Sequence, residues 1–189
     1  MMSPPRRSAP SQPPAWRALP LVPARDESLW TALILLLFGL AAWGTRVPWL
    51  FAFGPALVFL GYLARARLAY LAGPDRLIVQ TLVGRRVIPY AAIQRAEYLE
   101  LAGGIRLLAT YAPGYAVGWF YLSGLGRQLL LGSTDRGPAV RLHLHRGAVI
   151  VTPQDPVEAL ALVEEHGVPL DAPRWVLKEV RRRRKGGRG

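Results

Sequence analysis

The chain contains no cysteine. That rules out disulfides and thiolate metal sites, and it suits a reducing interior without requiring one. Acids are scarce as well, twelve against 24 lysines and arginines, for a net charge of +12. The first 25 residues hold no acid at all, and Arg46 is the only charged side chain between Ser28 and Ala64. Also missing are a Ser-His-Asp arrangement, a P-loop and a dinucleotide-binding glycine pattern. The short GLG at 124–126 precedes a strand rather than a helix, so it makes no phosphate cradle. The expectation is a protein without catalytic residues, cofactor or metal.

What the chain has instead is a long apolar run. Read as one helix, residues 28–64 would extend roughly 55 Å at about 1.5 Å per residue, against a hydrocarbon core of about 30 Å. The stretch AAWGTRVPWL (residues 41–50) interrupts it with Gly44, Thr45, Arg46 and Pro48. Read as a turn, the interruption leaves two membrane spans, about 28–44 and 47–65. The first is apolar around its whole circumference, which demands lipid or other helices on every side. Pro48 falls in the first turn of the second, where a missing N–H costs little, and Gly54-Pro55 should bend it. Trp30, Trp43, Trp49 and Tyr62 lie near the ends, where amphipathic rings favour the membrane interface.

Charge sets the orientation. Arg6, Arg7, Arg17 and Arg25 precede the first span, Arg65, Arg67 and Arg76 follow the second, and only Arg46 lies between. Under the positive-inside rule this makes a two-pass protein of the cell membrane, with both termini cytoplasmic and the turn outside. Residues 1–27 are rich in proline and serine, and they read as a disordered arm with a PxxP-type docking alternative in SAPSQPPAW. Residues 168–189 form a basic tail: eight basic residues and one acid between Arg174 and Gly189 give it +7 of the +12.

Beyond Ala72 the pattern turns to short β-type runs. Strands are expected at Leu77–Val83, through Val87 and Ile88, in QRAEYLEL, YAVGWFYL and RQLLLGSTD, in the alternating AVRLHLHRG, and in AVIVTP. Residues 102–114 carry loop chemistry at both ends and read as a long connection. Then comes one helix, with Asp155 as N-cap, Pro156 at N1, Glu158 completing a capping box and Gly167 after the last turn. Ala159, Leu160 and Val163 form its apolar stripe. The fold class expected for residues 75–167 is a mainly β domain of about seven antiparallel strands in a bent sandwich or barrel, closed by one C-terminal helix.

Specific residues carry a family likeness. DRLIVQTLVGRRVIPYAAI, with Ile88, Pro89, Tyr90 and Ile93, resembles the opening hairpin of the bacterial pleckstrin-homology (PH) domain family. PGYAVGWF (Pro113–Phe120) is similar to its Gly-rich central strand. VIVTPQDPVEALALVEEHG resembles its closing strand and helix, although Thr152 stands where that family more often has Ser. The likeness covers roughly residues 27–167, and it implies a PH fold behind a pair of membrane helices. These motifs are structural, so what they imply is scaffold and address rather than chemistry.

Several side chains are candidates for binding. Arg85 and Arg86 sit in the first hairpin, the region where headgroup-binding PH domains place basic residues, and two arginines can pair with a phosphate. Tyr111, Tyr115 and Trp119 are candidate docking aromatics for a protein partner or a second copy of the chain, although small barrels fill their interiors with such residues. Trp175 and the run Arg181, Arg182, Arg183, Arg184 and Lys185 suit an anionic lipid surface, with nucleic acid as the alternative partner. His143 and His145 share one strand face and could ligate a metal only if His166 or an acid supplied a third ligand. The reading favoured is a non-enzymatic membrane scaffold or binding module. A nucleic-acid-binding membrane protein comes second, and a His-based metal enzyme last.

Overall fold

Helix α1 (Glu27–Thr45) ends where Arg46 adopts a positive φ of 53°, and α2 (Leu50–Arg67) follows almost at once. This is a computed structural model, and it describes residues 16–23, 27–47 and 49–186. The two helices lie against each other. Phe38 stacks on Phe53 at 6.0 Å between ring centroids, and a Cβ on Gly54 would meet the Phe38 side chain at 2.9 Å. Gly54 therefore serves close helix approach. Among the described helices, α1 is long and apolar enough over Ser28–Thr45 to cross a membrane. Pro48, placed by the sequence reading in the first helical turn, lies outside the described residues, and α2 begins two positions later.

Among the described residues ten strands, a single 3-10 turn (Tyr90–Ala92) and two α-helices follow. The strands are β2 (Ala69–Ala72), β3 (Arg76–Gln80), β4 (Arg85–Pro89), β5 (Ile93–Ala102), β6 (Gly104–Ala112), β7 (Tyr115–Leu122), β8 (Gly126–Gly132), β9 (Arg136–Leu144), β10 (Ala148–Val151) and β11 (Leu170–Asp171). Helices α3 (Pro156–Glu165) and α4 (Arg174–Gly186) flank β11. A further strand, β1 (Arg17–Leu19), lies ahead of the helical pair.

The strands form two sheets, one ordered β1-β2-β3-β4 and one ordered β11-β5-β9-β10-β8-β7-β6. Between them lies the main core. Tyr70, Leu77, Val79 and Ile88 from the first sheet meet Val140, Leu142, Val149 and Val151 from the second, and Val157, Leu160 and Val163 of α3 close the gap. The expected stripe of α3 thus faces inward, and Leu160 is fully buried. The larger sheet also curls on itself. β5 passes to β6 through Gly103 alone, at φ +94°, and Leu101 joins Phe120 and Leu122 of β7 in a second core on the opposite face.

Four expectations need correction. The strands are not all antiparallel, because β10 pairs with β8 and β11 with β5 in parallel. Residues 102–114 are largely strand: Gly103 and Pro113-Gly114 read as loop, yet β6 between them pairs with β7 at every residue but Leu107, where the register shifts. Residues 1–27 read as a disordered arm, but Arg17–Leu19 within them pairs antiparallel with β2, with Leu19 opposite Tyr70. A proline-free tripeptide at a sheet edge needs ladder bonds on one side only, so neighbouring prolines do not forbid it. Lastly, the folded unit does not end at Gly167. Val168 is buried, β11 extends the larger sheet, and α4 packs on α3 with Val176 and Val180 fully buried. The PxxP-type segment lies almost wholly outside the described residues.

Candidate interaction surfaces

The first surface is the β3–β4 turn. Thr81 closes it, with its N–H and hydroxyl both donating to the Gly84 carbonyl at 2.7 and 2.9 Å. Arg85 and Arg86 open β4 and are exposed, and Val83 at the tip is 87% exposed. The turn is held close to the helical pair. Leu82 donates its N–H to the Tyr115 hydroxyl at 3.2 Å and packs with Ala64, Leu68 and Tyr115. The turn that carries the two arginines therefore sits beside the C-terminal end of α2.

That geometry removes Tyr115 from the docking surface. Its ring is fully buried where α2 meets β7, so it joins α2 to the β domain and cannot meet a partner. Tyr111 is 38% exposed, with the Arg106 guanidinium 3.7 Å from its ring centroid. Trp119 is half-buried beneath Arg127 at 4.5 Å. Both are cation–π pairs, so one face of each ring is already occupied by an arginine. Sequence reasoning missed the more open apolar surface beside them. β6 is the outermost strand of its sheet, and Ile105, Leu107 and Leu108 on it are exposed along with Tyr121 of β7.

His143 lies on β9, but His145 falls just past its end, in the bend before β10, and each has a protein partner. His143 Nε2 lies 2.7 Å from Glu97 Oε2, with Arg141 also 3.6 Å from that oxygen, and His145 Nδ1 lies 3.0 Å from Gln94 Nε2. His166 is elsewhere, stacked on Tyr90 at 3.9 Å. Among the described residues no group of three His, Asp or Glu is placed to hold a metal. The register that sets Glu97 opposite Arg141 produces this cluster, and it belongs to sheet pairing that local sequence does not reveal.

The third surface is α4. The basic run is a helix rather than a loose tail, and it runs antiparallel to α3. Arg183 reaches Asp155, the N-cap of α3, and also bonds Glu179. Burial raises the Asp155 carboxyl, yet the Arg183 hydrogen bond and the Glu158 N–H outweigh that and hold it below its usual value. Glu179 bonds Arg182 as well. Trp175, expected to enter lipid, packs edge-on against Tyr98 with centroids 5.5 Å apart, at the opposite end of the helix from Lys185. It keeps 60% of its surface exposed. The apolar pair Val176 and Val180, four residues apart, was the sequence signal for docking, and the charge around it masked it.

The segment ahead of α1 is the surface that sequence did not suggest. Arg17 pairs with Glu158 in the first turn of α3, where a capping box was expected. The Pro20 carbonyl accepts from Gln154 N–H at 2.8 Å, and Leu21 bridges Pro153. Leu21 and Val22 then line an open cleft with Tyr62, Leu68 and Gly114 at the end of α2. Residues 16–22 form a strap that ties the approach to α1 onto the β domain.

No curated protein and no solved structure matches the chain. Residues 68–166 do match the model of one protein family, described as bacterial PH domain, and the match runs from the start of β2 to the end of α3. It covers half of the 189 residues, takes in the two sheets apart from β1 and β11, and ends with the helix that closes the core. The chain belongs to the bacterial PH domain family.

Proposed function

We propose that this chain is a two-pass membrane protein that holds a non-catalytic PH domain at the cytoplasmic face of the cell membrane as a scaffold or binding module. The supporting observation is the pairing of β1 with β2. β1 precedes α1, β2 follows α2, and Arg17, Ala18 and Leu19 stand opposite Ala72, Leu71 and Tyr70. Two strands hydrogen-bonded in one sheet lie on the same side of any bilayer, so a chain that crosses through α1 must return through α2. At about 1.5 Å per residue, the 19 residues of α1 extend about 28 Å, close to the hydrocarbon thickness. Large apolar side chains face outward on both helices, among them Leu36, Leu40, Phe51 and Phe59. In water that surface would be a liability, whereas lipid is its natural solvent.

The excess of arginine on the flanks over the single Arg46 supports the cytoplasmic assignment. A natural chain without cysteine permits a direct test. Cysteine introduced at Thr45 should react with an impermeant maleimide on intact cells, whereas cysteine at exposed Thr110 should react only after permeabilisation. Equal labelling of the two positions on intact cells, or release of the protein by alkaline carbonate, would refute the two-pass reading.

A further inference from the structure

We infer that α4 is a prepositioned basic ridge that docks on anionic lipid headgroups beside the spans. This rests on the two-pass reading and names the surface that the domain meets. Three observations carry it. The first is rigidity: Val176 and Val180 are fully buried against the domain, and Arg183 is tied to Asp155 and Glu179. The second is segregation of charge. Arg174, Lys178, Arg181 and Lys185 follow one another at spacings of four, three and four, so they share the face opposite the two valines, and all are exposed. The only acid of α4, Glu179, is engaged by Arg182 and Arg183, which leaves Arg181, Arg184 and Lys185 as its exposed basic end.

The third is position. Arg183 bonds Asp155, the preceding residue, Gln154, donates its N–H to the Pro20 carbonyl, and α1 begins seven residues beyond Pro20. Seven residues span at most about 25 Å. Leu21, next to Pro20, bridges Pro153 and packs with Ala64 and Leu68 at the end of α2, so the end of α4 that carries Arg183 is tied to the strap beside the spans, whereas Trp175, at the other end, packs on Tyr98. The fixed cations at that end, Arg181, Arg184 and Lys185, meet an anionic leaflet without the ordering cost of a flexible tail. Nucleic acid would require the ridge to face away from the membrane that the strap draws it toward.

Each basic residue near an anionic surface contributes about fivefold in binding, so three of them amount to about a hundredfold. The test uses the full chain in lipid nanodiscs, with Arg182→Cys carrying a fluorophore and a headgroup-nitroxide lipid as short-range quencher. Quenching should be strong in discs of phosphatidylcholine and phosphatidylglycerol at 7:3, weak in phosphatidylcholine alone, and abolished by 0.5 M NaCl. The variant R181Q/R184Q/K185Q should lower the docked-to-free ratio about a hundredfold while leaving the thermal melt of the domain in place. Quenching that ignores phosphatidylglycerol, or survives the triple variant, overturns the proposal. So does a label that phosphatidylglycerol leaves unmoved and a DNA duplex shifts with steep salt dependence. A chain that stays monodisperse without lipid or detergent would instead sink the two-pass reading, and the same label mixed with 7:3 vesicles would still decide the ridge.

Discussion

Asp155 and Arg183 join the two C-terminal helices through a single carboxylate. One oxygen accepts the Glu158 N–H at 3.0 Å and caps α3, while the other takes the Arg183 guanidinium of α4. The first contact satisfies a donor that a helix start otherwise leaves orphaned. The second fixes the antiparallel pairing of α3 and α4.

Asp155→Ala should cost about 0.5–2 kcal/mol through the cap alone. Because the folded carboxyl is held below its usual value, the stability it supplies is present above the unfolded pKa near 3.9 and is lost as pH falls through the folded value. Thermal melts from pH 6 down to pH 2.5 should therefore show an acid loss that is smaller in Asp155→Asn. Identical acid limbs in the two proteins would count against the pairing with Arg183.

Tyr70 supplies the second prediction. Its buried hydroxyl donates to the Leu131 carbonyl at 2.7 Å and accepts from the Thr152 N–H at 3.1 Å, tying β2 to the ends of β8 and β10. Phenylalanine would keep the ring and strand both backbone groups, at about 1–3 kcal/mol. Burial pushes the Tyr70 phenol up to about 12. An acid whose folded pKa is raised destabilises the fold once pH passes its unfolded value near 10, because only the unfolded chain then releases the proton. Denaturant melts between pH 9 and 12 should show that alkaline loss, and Tyr70→Phe should reduce it without removing the part due to Tyr90, whose phenol is also raised to about 12.

Local signals in the sequence reached some of these features and not others. The alternation of Val140, Leu142 and Leu144 was legible because a strand repeats every two residues, and the start of α3 was legible because caps are chemical. β2 was missed because it follows α2 with only Leu68 between them, so that one apolar texture hides the change from helix to strand. β1 was missed for a different reason: its pairing partner lies some fifty residues away, across the helical pair, and nothing in Arg-Ala-Leu announces it. Among the candidate aromatics, composition marked Tyr111, Tyr115 and Trp119 alike. Only the fold separates the buried Tyr115 from the two rings covered by arginine.

Removing α4 makes the third prediction. A solvated terminus could be cut at Ala172 without consequence. The structure instead buries Val176 and Val180 completely, and full burial of one such side chain is worth about 1.5–3 kcal/mol. Truncation after Asp171 should therefore lower the stability of the domain by several kcal/mol, as read by thermal melting in detergent. Trp175→Ala should act on stability as well, by about 0.5–1.5 kcal/mol for its edge-on packing against Tyr98, and should leave lipid binding unchanged.

The last prediction concerns the strap. Leu19 is buried in the main core opposite Tyr70, so Leu19→Ala should cost about 2–5 kcal/mol, near the upper limit if the first sheet cannot close over the gap. The nearby Arg17–Glu158 pair is a weaker tie. Arg17 is mostly exposed, and solvent screening limits such pairs to about 0–1 kcal/mol. Arg17→Ala and Leu19→Ala should then differ sharply in melting temperature, although both lie outside the residues matched to the family. The strap also covers one edge of β2, and Leu19→Asp should release it by burying an unpaired charge. Hydrogen exchange at Tyr70 and Ala72 would report that release. If those amides stay protected while the strap is free, another strand has taken its place on β2, and the pairing that supports the two-pass reading is not what holds the sheet together.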